Sequence, residues 1–143
     1  MIADASSAAH VAPFGQPAAR LRGLWGGAIT ERSGFVAVPM SLLKLQSKLG
    51  LDPVDLGVLV NLLGYRWTSE AGVFPRNSII SKRMGVSERT VQRSTQKMIK
   101  LGLIARSLDD EGRRVLKLDP LVAQVAKLTP STEWRADALN DDV

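Results

Sequence analysis

Arg89, Thr90, Gln92 and Arg93 fall within one short stretch, "SERTVQRSTQK", and their side chains share a capacity for directional hydrogen bonding. An arginine can pair in bidentate fashion with O6 and N7 of guanine, and a glutamine can do likewise with the edge of adenine. Further bases gather around them. Between Pro75 and Leu118 eleven basic residues stand against four acids, a local charge of +7, which leaves −2 for the remainder of a chain whose overall charge is +5. A basic segment between neutral or acidic flanks is the footprint of a polyanion binder. An ordinary solvated cationic face is the competing reading, and charge alone favours neither.

No other constellation offers chemistry. His10 is the only histidine, so neither a Ser-His-Asp set nor a histidine metal cluster can be assembled. The absence of cysteine removes disulfides, thiolate catalysis and cysteine-ligated metals. Asp52 and Asp55 share a helix start, where capping accounts for them better than acid–base work. Asp109, Asp110 and Glu111 lack the spacing of a calcium loop. We therefore expect no catalytic residue, metal or cofactor, and no enzyme. Seven aromatics (Phe14, Trp25, Phe35, Tyr65, Trp67, Phe74 and Trp134) read mostly as core or tail residues, which argues against a stacking platform for RNA or single strands. No run approaches the ~18 apolar residues of a membrane span. Met1 to Gln16 lacks the basic start and apolar block of a secretory signal, although Arg20 and Arg22 leave room for an organellar transit peptide. Cysteine-free composition fits a reducing cytoplasm, the expected location.

The elements that would position the basic stretch can be read from punctuation and period. A length of 143 residues suits one domain with tails: a flexible N-terminal arm at 1–34, a domain at 35–128 and an acidic tail at 129–143. In the arm, Leu21 to Gly27 could dock through a buried Trp25, and its glycines are no phosphate loop. Phe35 to Val38 reads as a short strand and Met40 to Leu49 as a helix with Leu42, Leu45 and Leu49 inward, stopped at Gly50. Asp52-Pro53 is a helix start, and Leu56, Leu59, Val60, Leu63 and Trp67 recur at helical spacing as a buried stripe. A loop opening at Thr68 leads to an extended Val73-Phe74-Pro75. Asn77 is expected to cap a short helix, Ser78 to Met84, with Ile80 and Met84 inward. After the tight turn Gly85-Val86-Ser87, Ser87 caps a longer helix, Glu88 to Leu101, stopped at Gly102. Leu103 to Leu108 and Val115 to Leu118 alternate as two strands around the charged turn Asp109 to Arg113. A helix from Pro120 to Leu128 would pack Leu121, Val125 and Leu128.

In "NSIISKRMGVSERTVQRSTQKMIKLGLI" one window meets the demands of two helices crossing over a three-residue turn. Ser81 is small where the helices touch, Gly85 tolerates positive φ, and Ile80, Val86, Val91 and Met98 are apolar at the required offsets. With Phe74-Pro75-Arg76-Asn77, Gly85 to Arg93 and Leu101-Gly102-Leu103-Ile104-Ala105-Arg106, the stretch from about Leu42 to Leu108 resembles the winged helix-turn-helix domains of bacterial, phage and plasmid regulators and replication proteins. Ser81 stands where that family usually has alanine. The resemblance implies a mainly α fold with a small β-hairpin wing and a role in binding double-stranded DNA.

In such domains the first turns of the second helix enter the major groove. With Val91, Met98 and Leu101 facing the core, the outward residues are candidates by position. Arg89, Thr90, Gln92 and Arg93 are expected at base edges. Arg76, Asn77, Lys82, Arg83, Ser87, Gln96, Lys97 and Lys100 are expected at phosphates. Arg113 and Arg114 lie at the hairpin tip, where a wing would reach backbone or minor groove, with Asp109, Asp110 and Glu111 opposing them. A homodimer is expected, supported only by the apolar Leu121, Val122, Val125 and Leu128 and by the N-terminal arm. No small-molecule ligand is expected. Chain length favours a transcriptional regulator, such as a repressor on a mobile element, over a plasmid or phage replication initiator, and the preference reverses if the chain is a fragment. A winged helix used only for protein docking would tend to lose the basic face that this sequence keeps.

Overall fold

A computed structural model of the protein describes residues 19–66 and 72–130. Expectations for His10, Phe14, Trp67, Trp134, the loop opening at Thr68, most of the arm and most of the tail lie outside these residues. The chain divides into two units, Met1–Phe35 and Val36–Val143.

In the first unit residues 19–25 are helical, and α1 (Gly27–Arg32) follows a break at Gly26, whose φ is 85°. The Gly26 N–H donates to the Arg22 carbonyl at 2.8 Å, and the Arg22 guanidinium meets Glu31 at 2.8 Å. The arm expected to lack regular structure is thus helical over much of 19–32, where Ala, Leu, Arg and Glu are good helix formers. Leu24, Trp25 and Ile29 are exposed, so Trp25 is not the buried anchor considered above.

The second unit is built from α2 (Met40–Leu45), α3 (Pro53–Leu63), α4 (Asn77–Met84), α5 (Glu88–Lys100), a hairpin of β1 (Ala105–Leu108) and β2 (Arg114–Lys117), and α6 (Asp119–Leu128). α4 packs on α5, α3 on both, and α2 on α6. The core gathers Leu42 and Leu45 from α2, Val58, Leu59 and Leu62 from α3, Ile80 from α4, and Val91 and Met98 from α5, closed by Leu103, Ile104, Leu116, Leu118 and Leu121.

Local signals account for most boundaries. Asp52 accepts from the Asp55 N–H while Asp55 accepts from the Asp52 N–H, a reciprocal capping box ahead of Pro53. Gly85 takes a left-handed φ of 69° and its N–H returns to the Ser81 carbonyl. That conformation disfavours any side chain with a Cβ. Ser81 is buried and its hydroxyl donates to the Ser78 carbonyl at 2.9 Å, so it fills the close contact without an orphaned group.

The hairpin pairs antiparallel, Arg106 opposite Leu116 and Leu108 opposite Arg114. Val73 adds one bridge to Leu116, with bonds of 2.8 and 2.7 Å in the two directions. Gly72 makes this approach possible: a Cβ there would lie 2.5 Å from Val115 Cγ2 and 3.2 Å from the Leu116 carbonyl oxygen.

Several expectations are corrected. Phe35 to Val38 forms no strand. α2 stops at Leu45, and Leu49 is buried from the turns that follow. The stripe on α3 is rotated: Asp55, Val58, Leu59 and Leu62 are buried, whereas Leu56, Val60 and Leu63 are half-buried. A helix packed by neighbours on several sides has little amphipathic signature, which is why period misplaced its face. Asn77 is the first residue of α4, not its cap; Arg76 holds that position without a side-chain bond. Met84 is only half-buried. Leu101 is 41% exposed and lies over Gly50, whose absent Cβ would sit 3.3 Å from it. On α6 Leu121 is buried, Val125 half-buried and Leu128 exposed, since α6 contacts α2 along a narrow stripe.

Candidate nucleic-acid interface

Two opposed faces make α5 the centre of the site. Val91, Ser94, Thr95 and Met98 are buried, whereas Arg89, Gln92, Arg93, Gln96 and Lys100 are exposed. The latter recur at spacings of three and four and so share one side of the helix. Arg89 and Arg93 stand one turn apart with no carboxylate against them. Like charges at that spacing weaken an isolated helix by about 0.2–0.5 kcal/mol, so the pair adds nothing to the local stability of α5. Neither guanidinium has a partner among the described residues, and Lys82 and Lys100 are likewise exposed and unpaired there.

Ser87 begins the helix as expected. Its Oγ accepts from the Thr90 N–H at 3.1 Å and lies 2.9 Å from the Thr90 hydroxyl. Thr90, expected at a base edge, is instead a half-buried partner of the cap. Ser87→Ala is expected to cost about 1 kcal/mol of unfolding free energy, and Ser87→Gly only a few tenths, measured by denaturant titration. Equal losses for the two variants would mean the cap bond does not matter.

Between α5, the start of α4 and the hairpin runs a cleft of about 690 Å³. Gln92 and Gln96 line one wall and Arg106 and Arg114 the other, with Asn77 also contributing. The sequence reading missed Arg106. Only the register reveals it, by placing Arg106, Leu108, Arg114 and Leu116 on one side of the ribbon.

Other expected contacts are occupied within the protein. Arg113 Nε meets Asp109 at 2.8 Å, a second guanidinium nitrogen meets Glu111 at 3.3 Å, and the guanidinium lies 4.9 Å from the centre of the Phe74 ring. Asp109 also accepts from the Glu111 and Arg113 N–H groups. The Arg113 N–H bond leads in holding the Asp109 carboxyl below its usual value, outweighing its burial. Arg113 is thus held within a tip that carries three acids to its one base, and Arg106 and Arg114 are the wing cations that line the cleft. Arg76 lies 5.9 Å from both Tyr65 and Phe74, and Arg83 lies 5.7 Å from Tyr65 and 3.4 Å from Asn61 Oδ1. These contacts restrict the two arginines while leaving both residues exposed.

Lys97 is engaged differently. Its ammonium is 2.5 Å from Asp55 and 3.5 Å from Asp52, so the expected phosphate ligand instead ties α5 to α3. The bond to Asp55 holds the Lys97 amine above its ordinary value against the desolvation that opposes it, with the charges of both aspartates adding to the rise. Burial pushes the Asp55 carboxyl up, but bonds from the Asp52 N–H, Lys97 and Ser94 outweigh it and leave the group below the usual range.

Among the described residues no cluster of His, Cys, Asp or Glu could hold a metal, and no helix is long and apolar enough to cross a membrane.

The model of the helix-turn-helix domain family matches residues 49–104. No curated protein sequence matches the chain. Among solved structures, the N-terminal domain of the DnaD protein from Geobacillus kaustophilus HTA426 superposes with a TM-score of 0.52 at 26% identity, over 66% of this chain and 78% of that one. The chain carries a winged helix-turn-helix domain, with α4 and α5 as the helix pair and β1–β2 as the wing.

Proposed function

We propose that this protein binds double-stranded DNA sequence-specifically and does no catalysis of its own. α5 enters the major groove, where Arg89, Arg93 and Gln92 read base edges. Ser87 and the first amides of α5 hold a phosphate, together with Arg76, Asn77, Lys82, Arg83, Gln96 and Lys100. Arg106 and Arg114 hold the strand that passes between α5 and the wing. The observation that carries this reading is the exposed face of α5, on which two arginines and two glutamines stand at helical spacing with both guanidiniums unpaired among the described residues.

Selection of bound fragments from random duplex DNA tests the reading. A recovered motif supports it, and a pool that stays random at every ionic strength overturns it. The symmetry of the motif also tests the homodimer we propose through the exposed Val122 and Leu128 of α6, since a palindrome or repeat calls for two copies and a single half-site for one. Mapping the motif on genomic DNA separates an operator, as in a transcriptional regulator, from a replication origin.

The wing yields its own expectation. Arg106→Ala and Arg114→Ala should weaken all duplexes alike, each lowering the slope of log affinity against log salt by ~0.9. Arg113→Ala should leave that slope unchanged, because its charge is already neutralised by Asp109 and Glu111. Titrations at several salt concentrations check this, and the reverse ranking would place the DNA at the hairpin tip.

A further inference from the structure

Asp55 occupies the first turn of α3, with 2% of its surface exposed, and capping alone does not account for its contacts. One carboxylate oxygen accepts from the Ser94 hydroxyl at 2.5 Å. The other accepts from the Lys97 ammonium at 2.5 Å and from the Asp52 N–H at 3.0 Å. Ser94 and Lys97 lie one turn apart in the middle of α5, on the flank between its buried stripe and its cationic face. Resting on the proposed reading of α5 as the DNA-contacting helix, we infer that Asp55 is a positioning residue that sets the rotation of α5 about its own axis, and with it the aim of Arg89, Gln92 and Arg93.

Packing and hydrogen bonding differ in directionality. Burial of Val91 and Met98 decides which side of α5 faces inward, but the hydrophobic effect is non-directional and tolerates some rolling of the helix. Hydrogen bonds tolerate little. Side-chain tips lie about 5 Å from the axis of a helix ~10–12 Å across, so a roll of about 20° displaces them by about 2 Å. That displacement breaks both bonds to Asp55, and bidentate contacts to a base edge demand similar accuracy. The two bonded positions on α5 fix the roll, and the reciprocal cap with Asp52 fixes Asp55 itself. Taking a carboxylate out of water is costly, and a buried ion pair adds little net stability over apolar packing. Its benefit here is conformational uniqueness at the element that reads the ligand.

Ser94→Ala and Asp55→Asn test the inference, since both residues are buried and neither touches the exposed face. Affinity is measured for the duplex recovered by selection and for an unrelated duplex, with melting curves to confirm folding. The expected result is a fall of about tenfold in the ratio of the two affinities, while binding to the unrelated duplex stays within about twofold. A ratio unchanged in both variants, or affinities for the two duplexes falling together, overturns the assignment. If Asp55→Asn does not fold, Ser94→Ala decides alone. Wild-type protein that shows no preference for any duplex would count against the DNA-reading assignment itself, whereas a wild-type preference kept by both variants counts against the role of Asp55 only.

Discussion

Arg93→Ala is expected to flatten base preference at one position of the binding site, and Arg89→Ala at a neighbouring one. A good bidentate pair contributes about 1–3 kcal/mol of discrimination against the wrong base, so each variant should lose roughly 5- to 150-fold in preference for the selected motif. Binding to unrelated duplex should fall much less, because non-specific affinity is a sum over phosphate contacts. The two residues lie one turn apart on the same exposed face of α5, and such neighbours couple. The double variant need not show the product of the single effects, but it should leave a protein that binds every duplex alike. Quantitative competition between motif and scrambled duplex measures this. Unaltered preference in Arg93→Ala would mean that α5 presents a different side to its ligand.

The second large effect belongs to folding. Ile80 is fully buried on α4, in the core shared with α3 and α5. Truncation to alanine removes that packing and leaves a cavity, which typically costs 2–5 kcal/mol. A domain of this size has about 5–15 kcal/mol in total, so Ile80→Ala should lower the denaturant midpoint strongly at an unchanged slope. Its side chain is wholly buried and is not itself a candidate contact, so preference per folded molecule should persist. A variant that keeps its midpoint would show that α4 is not packed as described.

Much of the helix-turn-helix was legible because its determinants are local. Asp52-Pro53 marks a helix start by chemistry that needs no distant partner. Gly85 and Ser87 specify turn and cap within a few positions, and Val91 and Met98 reveal the inner face of a helix with one strongly polar side. What escaped was set by tertiary context. The stripe of α3 was displaced because that helix is packed on several sides. Lys97 read as a free cation since its partner Asp55 lies 42 positions earlier. Arg113 read as a wing contact although Asp109, Glu111 and Phe74 hold it. Arg106 was overlooked in a four-residue strand whose alternation becomes informative only once register with β2 is known. Asn77 shows that a good capping residue caps only where the backbone bends, and here the bend falls at Arg76.

Everything functional depends on the outer side of α5 meeting a duplex. A titration of isotopically labelled protein with the selected duplex, followed by the backbone amide signals and the Nε–H signals of Arg89 and Arg93, observes that meeting residue by residue. The largest changes are expected from Ser87 through Gln96 and on Arg106 and Arg114, with α2 and α6 little affected by the DNA. Changes confined to other elements, or no change at low ionic strength, would mean that α5 does not meet the duplex.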